Sequence, residues 1–83
     1  MFTDSAGMQP FDEPRELATA EVAAVVDEHR RAALAARRAG FDGVELHGTS
    51  GYLPMQFLSS GTNRRSDAYG GSAAKRARFA FEC

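Results

Sequence analysis

The sequence predicts an α/β arrangement of helix, strand, long loop and helix. Three observations predict it. Apolar residues recur with a helical period between residues 19 and 39, the period falls to two after Gly40, and a Gly- and Ser-rich stretch then separates that strand from a second helical run. Helix, glycine turn and strand in that order form half of a βαβ arrangement, which belongs to folds with a parallel sheet.

Residues 1–18 read as an irregular lead-in loop, with Gly7, Pro10 and Pro14 among small and polar residues and Phe2 and Phe11 as bulky anchors. In the helix that follows, residues 19–39, Val22, Val25, Val26, Ala32, Ala33 and Ala36 make one stripe. Thr19 suits the N-cap, Glu21 the positive end of the helix dipole and the arginines the other end, and Gly40 can take the left-handed conformation that stops a helix. The stripe is narrow and rich in Ala, so it calls for close contact with a flat sheet. His29 stands where that stripe would take a large apolar residue and reads as a packed or half-exposed histidine rather than a ligand.

The strand, residues 41–47, alternates Val44 and Leu46 on one face with Glu45 and His47 on the other. Residues 48–71 form a long structured loop that includes Tyr52, Leu53, Met55, Phe57 and Leu58, with a short helix from Pro54 to Leu58; a loop of this length after a strand usually serves function. Ser72 caps the last helix, residues 72–83, which runs to Cys83 without a stop signal, so the chain reads as a truncated, partial domain.

Composition narrows the function classes. With 83 residues, a net charge of −1 and one cysteine, the chain has no disulfide framework, no thiolate-rich zinc site and no excess of positive charge for nucleic acid. An unbroken apolar run such as Ala32–Ala36 is far short of the ~20 residues that cross a bilayer, and the basic and apolar start of a signal peptide is lacking, so a cytoplasmic protein with no membrane partner is expected. The charge is unevenly spread. Residues 1–28 carry seven acidic side chains against Arg15, and residues 63–78 carry five basic ones against Asp67, a pattern that suits solvated faces or mutual partners.

The constellation with most chemistry is HGTSGY, residues 47–52, at the carboxyl end of the strand, where ligands sit in parallel α/β folds. Gly48 and Gly51 let the chain turn so that His47, Ser50 and Tyr52 converge as hydrogen-bond donors, an arrangement suited to an oxygen that gains negative charge. Spacing alone leaves the structural reading open, a strand-end histidine beside a packed tyrosine. Ser50 has no GxSxG elbow, His29 and His47 follow no metal pattern, and DAYGGS, residues 67–72, lacks the lysine of a P-loop and reads as a turn with an N-cap.

Residues 39–79, AGFDGVELHGTSGYLPMQFLSSGTNRRSDAYGGSAAKRARF, together with MQPFDEPREL before the first helix, resemble the Old Yellow Enzyme family of FMN-dependent ene-reductases. The strand, HxxxGY, QFL, the NxRxD run, YGGS and RxRF occur in the family's order and spacing. The resemblance implies a fragment of a (β/α)8 TIM barrel, in which FMN passes hydride from NADH or NADPH to an activated alkene such as an enone, enal or nitro compound. It also implies that His47 and Ser50 bind the substrate oxygen and that Tyr52 is the proton donor; a phenol, protonated at neutral pH, can act as a general acid. Ser50 stands where the family usually has Asn or His. A barrel of this kind takes about 250 residues, so most of the flavin contacts are expected outside this chain, which alone is expected to be inactive. The alternative is a small non-catalytic helical interaction module or a subunit that completes a barrel.

Overall fold

The computed structural model describes residues 2–83. It contains a short hairpin, β1 (Phe2–Thr3) with β2 (Gly7–Met8), and three helices, α1 (Thr19–Arg38), α2 (Leu53–Leu58) and α3 (Ala73–Glu82). The hairpin strands pair antiparallel, Phe2 with Met8 and Thr3 with Gly7, so the lead-in is not wholly irregular as its composition suggested. Phe11 is 78% exposed and anchors nothing, and the Phe2 side chain lies outside the described residues.

Helix α1 begins one residue earlier than the capping pattern indicates. Its N-cap is Ala18, which offers no side-chain acceptor, and the Glu21 carboxylate takes the Ala18 N–H at 3.0 Å instead. Arg15 donates to both Glu21 oxygens at 2.8 and 2.9 Å, and this guanidinium, with the Ala18 amide second, holds the Glu21 carboxyl down at about 2. The stop is the one expected at Gly40. With φ of +97° it lets Gly40 N–H donate to the Arg37 carbonyl and Phe41 N–H to the Ala36 carbonyl, the paired bonds of a Schellman ending.

Residues 41–47, expected as a strand, form no regular element and carry no ladder among the described residues, with a bend at Asp42. The correction has a simple cause. A strand exists by pairing, its pairing partners are remote in sequence, and the only ladder described joins β1 to β2. Phe41 and Val44 are therefore about two-thirds exposed. The fold is correspondingly a small helical assembly with an unpaired segment at residues 41–47, and no barrel is formed by these residues.

The core sits where α2 and α3 meet, with the first turns of α1 laid across them. Val22, Phe57, Tyr69 and Phe79 are buried, with Leu17, Val25, Val26 and Leu53 packed against them. Phe57 stacks on Phe79 at 4.4 Å between ring centroids, and the His29 ring stands perpendicular to Phe79 at 5.8 Å, which gives that histidine a packing partner. Its Nδ1 also lies 2.9 Å from the Val25 carbonyl. The far half of the α1 stripe, Ala32, Ala33 and Ala36, has no sheet to cover it among the described residues, and Leu34 beside it is exposed.

Candidate active site

Two local structures follow residues 41–47, and they differ in how each is held. The first is the turn carrying the expected site residues. Ser50 and Gly51 have φ of +62° and +76°, the φ pattern of a type I′ turn, and the Tyr52 N–H closes it on the Thr49 carbonyl at 3.4 Å. Ser50 is the only non-glycine residue with positive φ among the described residues. A left-handed serine costs roughly 1–2 kcal/mol, and such cost gathers at functional turns. The turn ends at Tyr52, the N-cap of α2, and Pro54 follows within the first turn, where its missing N–H costs nothing.

This turn brings His47 and Tyr52 together, their ring centroids 5.5 Å apart and the planes at 51°. Both are exposed, Tyr52 by 63%, and the nearest hydroxyl pair is Thr49 Oγ1 with Ser50 Oγ at 3.5 Å. Helix α2 grips the turn from below. Gly51 N–H points at the Met55 sulfur at 3.2 Å and Gln56 Nε2 donates to the Gly51 carbonyl at 2.8 Å. The result is an exposed imidazole and phenol side by side, with the exposed Ser50 hydroxyl on the same turn.

The second structure is the later part of the loop, which the sequence left without roles. Asn63 is buried and donates to the Phe57 and Tyr69 carbonyls at 2.7 and 2.8 Å while its oxygen accepts the Arg65 N–H. Arg65 donates twice to Asp67 and once to the Leu17 carbonyl, and Thr19 donates its hydroxyl to Asp67 at 2.7 Å. Thr19 thus serves the loop rather than capping its own helix. The Arg65 guanidinium, and after it the Thr19 and Tyr69 hydrogen bonds, hold the Asp67 carboxyl well below the usual carboxylate range. Tyr69 in turn donates to Glu82 at 2.6 Å, and its phenol is raised chiefly by that bond and by burial. Gly70 is obligatory here, because a Cβ would lie 2.4 Å from the Arg65 carbonyl oxygen.

Beside these, a concavity of about 420 Å³ opens between the lead-in and α2, with Leu17, Leu53 and Phe57 against Arg15, Gln56 and Arg65. It borders Gly51 but is not lined by His47, Ser50 or Tyr52, so the concavity and the donor cluster are neighbours rather than one site. No group of three or more His, Cys, Asp or Glu side chains placed to hold a metal occurs among the described residues, and no helix is long and apolar enough to cross a membrane.

With this geometry in view, comparison with known proteins decides the family. The sequence model of the NADH:flavin oxidoreductase / NADH oxidase family matches residues 3–83. The chain belongs to that family. It is 51% identical over 79 residues to 12-oxophytodienoate reductase 1 of Oryza sativa subsp. japonica, covering 95% of this chain and 20% of the rice protein. A probable flavin mononucleotide-dependent alkene reductase of Leishmania infantum is 47% identical over 81 residues, 98% of this chain and 22% of that protein. Among solved structures, morphinone reductase in complex with tetrahydroNAD superposes with a TM-score of 0.88 at 48% identity, covering 98% of this chain and 23% of that one. The chain therefore spans about a fifth of the length of the curated relatives it matches.

Against FMN, the exposed His47 and Tyr52 rings and the Ser50 hydroxyl offer hydrogen-bond donors but no guanidinium or ammonium group for the flavin phosphate.

Proposed function

We propose that these 83 residues are the substrate-side segment of an FMN-dependent oxidoreductase with a (β/α)8 barrel, which reduces an activated alkene at the expense of NADH or NADPH. Bound FMN supplies the hydride to the β carbon. The chain's own residues do the rest. His47 donates a ring N–H, and Ser50 its hydroxyl, to the carbonyl or nitro oxygen of an enone, enal or nitroalkene, fixing the plane of the substrate and stabilising the charge that the oxygen gains. Donors of this kind contribute about 2.7–4 kcal/mol each where water is excluded. Tyr52 then gives its phenolic proton to the carbon α to that group, so that one hydride and one proton complete the saturated product.

The observation that supports this reading is the exposed pairing of His47 with Tyr52 across a turn with positive φ at Ser50 and Gly51. Because the donors stand open to solvent, the oxyanion contribution needs further protein to exclude water, and the 83 residues alone are inactive. A cytoplasmic location agrees with this chemistry, which draws on the reduced nicotinamide pool.

The test is a full-length family enzyme carrying this segment, followed through its two half-reactions by stopped flow. Tyr52→Phe is expected to leave flavin reduction by nicotinamide within about twofold and to slow alkene reduction by about 100-fold or more. His47→Ala is expected to weaken binding of a phenolic ligand as well as the alkene rate. Equal slowing of both half-reactions by Tyr52→Phe would remove the proton-donor role.

A further inference from the structure

The reactive turn is supported from α2 by a residue with no part in the proposed chemistry. Gly51 presents both its polar backbone groups to the first turn of that helix, its N–H to the Met55 sulfur and its carbonyl to the Gln56 amide. The other bonds at the turn are weak: Tyr52 N–H to Thr49 at 3.4 Å, the Thr49 and Ser50 hydroxyls at 3.5 Å, and thioether sulfur as a poor acceptor. Gln56 Nε2 at 2.8 Å is the shortest side-chain bond to it. The peptide it holds joins Gly51 to Tyr52, so its orientation sets both the left-handed backbone before it and the direction in which the phenol leaves α2. The backbone N–H of the same residue donates to the Tyr52 carbonyl at 2.9 Å, which locks Gln56 to the far side of Tyr52 as well.

We propose that Gln56 is the positioning residue of the site: its side-chain amide, as a hydrogen-bond donor to the Gly51 carbonyl, holds Ser50 in the left-handed conformation and the Tyr52 ring against His47. Donation is the essential property. Glutamate has the same shape, but its ionised form can only accept and would face the Gly51 carbonyl with like partial charge; once protonated it regains a donor. This assignment rests on the reading of Tyr52 as proton donor for its catalytic meaning, while the geometry can be measured apart from it.

The experiment uses the 83-residue chain labelled for NMR, as wild type, Gln56→Glu and Gln56→Leu, between pH 7 and pH 4. Three readouts are followed: the nuclear Overhauser effect between the His47 and Tyr52 rings, the Ser50 coupling that reports φ, and, as a control on the core, the Phe57–Phe79 ring contact. Gln56→Glu is expected to lose at least half of the His47–Tyr52 effect at pH 7 and to recover it relative to wild type as the pH falls through the ordinary glutamate range near ~4.3. Gln56→Leu is expected to lose it at every pH, and the core contact to persist in both. An unchanged turn in Gln56→Glu at pH 7, loss without recovery, or loss of the core contact along with the turn would each overturn the assignment. In the full-length enzyme, the same Gln56→Glu change is expected to lower kcat for alkene reduction about tenfold, with recovery at low pH and flavin reduction unaffected. A turn that responds as stated beside an unaffected alkene rate would leave the positioning geometry standing and count against Tyr52 as the donor.

Discussion

The two halves of the loop, 47–52 and 63–71, are built from similar residues and held in opposite ways. In the later half the polar side chains are sunk among backbone carbonyls: Asn63 bonds three partners, Asp67 is reached by Arg65, Thr19 and the Tyr69 amide, and no buried side-chain polar atom is left without a partner among the described residues. In the earlier half His47, Ser50 and Tyr52 point into solvent, and the turn beneath them rests on one short hydrogen bond from a side chain. A network that is fully satisfied within the chain can fix its geometry locally. Donors left open have hydrogen-bonding capacity to offer a ligand, and that is what separates the part of the loop that holds shape from the part proposed to do chemistry.

The strongest way to probe this contrast is to remove the platform on which the later half rests. Phe79 is fully buried, stacked on the Phe57 ring and perpendicular to the His29 ring, and Phe79→Ala should cost about 3–5 kcal/mol, enough to abolish a cooperative urea transition in a chain this small. If the transition survived, the core would owe little to the aromatic stack.

A smaller effect separates charge from shape. Asp67→Asn keeps the side-chain volume but gives up the charge-assisted bonds from Arg65, and should cost about 2 kcal/mol at pH 7. Because the folded-state carboxyl of Asp67 is depressed, its contribution is present in full above the ordinary carboxylate value of about 3.9 and is lost as pH falls below it toward the lower folded value. Denaturant titrations at pH 7 and pH 3 should therefore show a shallower acid loss in the variant than in the wild type. Equal acid loss in both would mean that other carboxylates, Glu21 beside Arg15 first among them, dominate the pH response.

The smallest effect falls on the open turn. Positive φ at two successive residues is the pattern that Asn-Gly satisfies best, so Ser50→Asn should raise stability by about 0.5 kcal/mol without altering the core. Loss of stability would show that Ser50 contributes something at this position that an amide cannot, and would weaken the comparison with the self-sufficient half.

Much of the molecule was legible in the chain. The valine stripe placed α1, Gly40 placed its end, Pro54 to Leu58 marked a helix inside the loop, and HGTSGY marked the turn that brings His47 and Tyr52 together. These are local effects, set by side-chain periodicity, capping and the φ each residue tolerates, and they require no knowledge of what lies far along the chain. The roles of Asn63, Arg65 and Asp67 were not legible in this way, because a polar side chain in a loop says nothing of whether it is solvated or buried until the carbonyls around it are placed. Thr19 shows the same limit, its hydroxyl drawn from the expected cap to Asp67, 48 residues away. Residues 41–47 show it most plainly: alternation specifies an extended backbone with two distinct faces, but a strand is completed by a neighbour's N–H and C=O groups, and pairing of that kind is decided only in three dimensions.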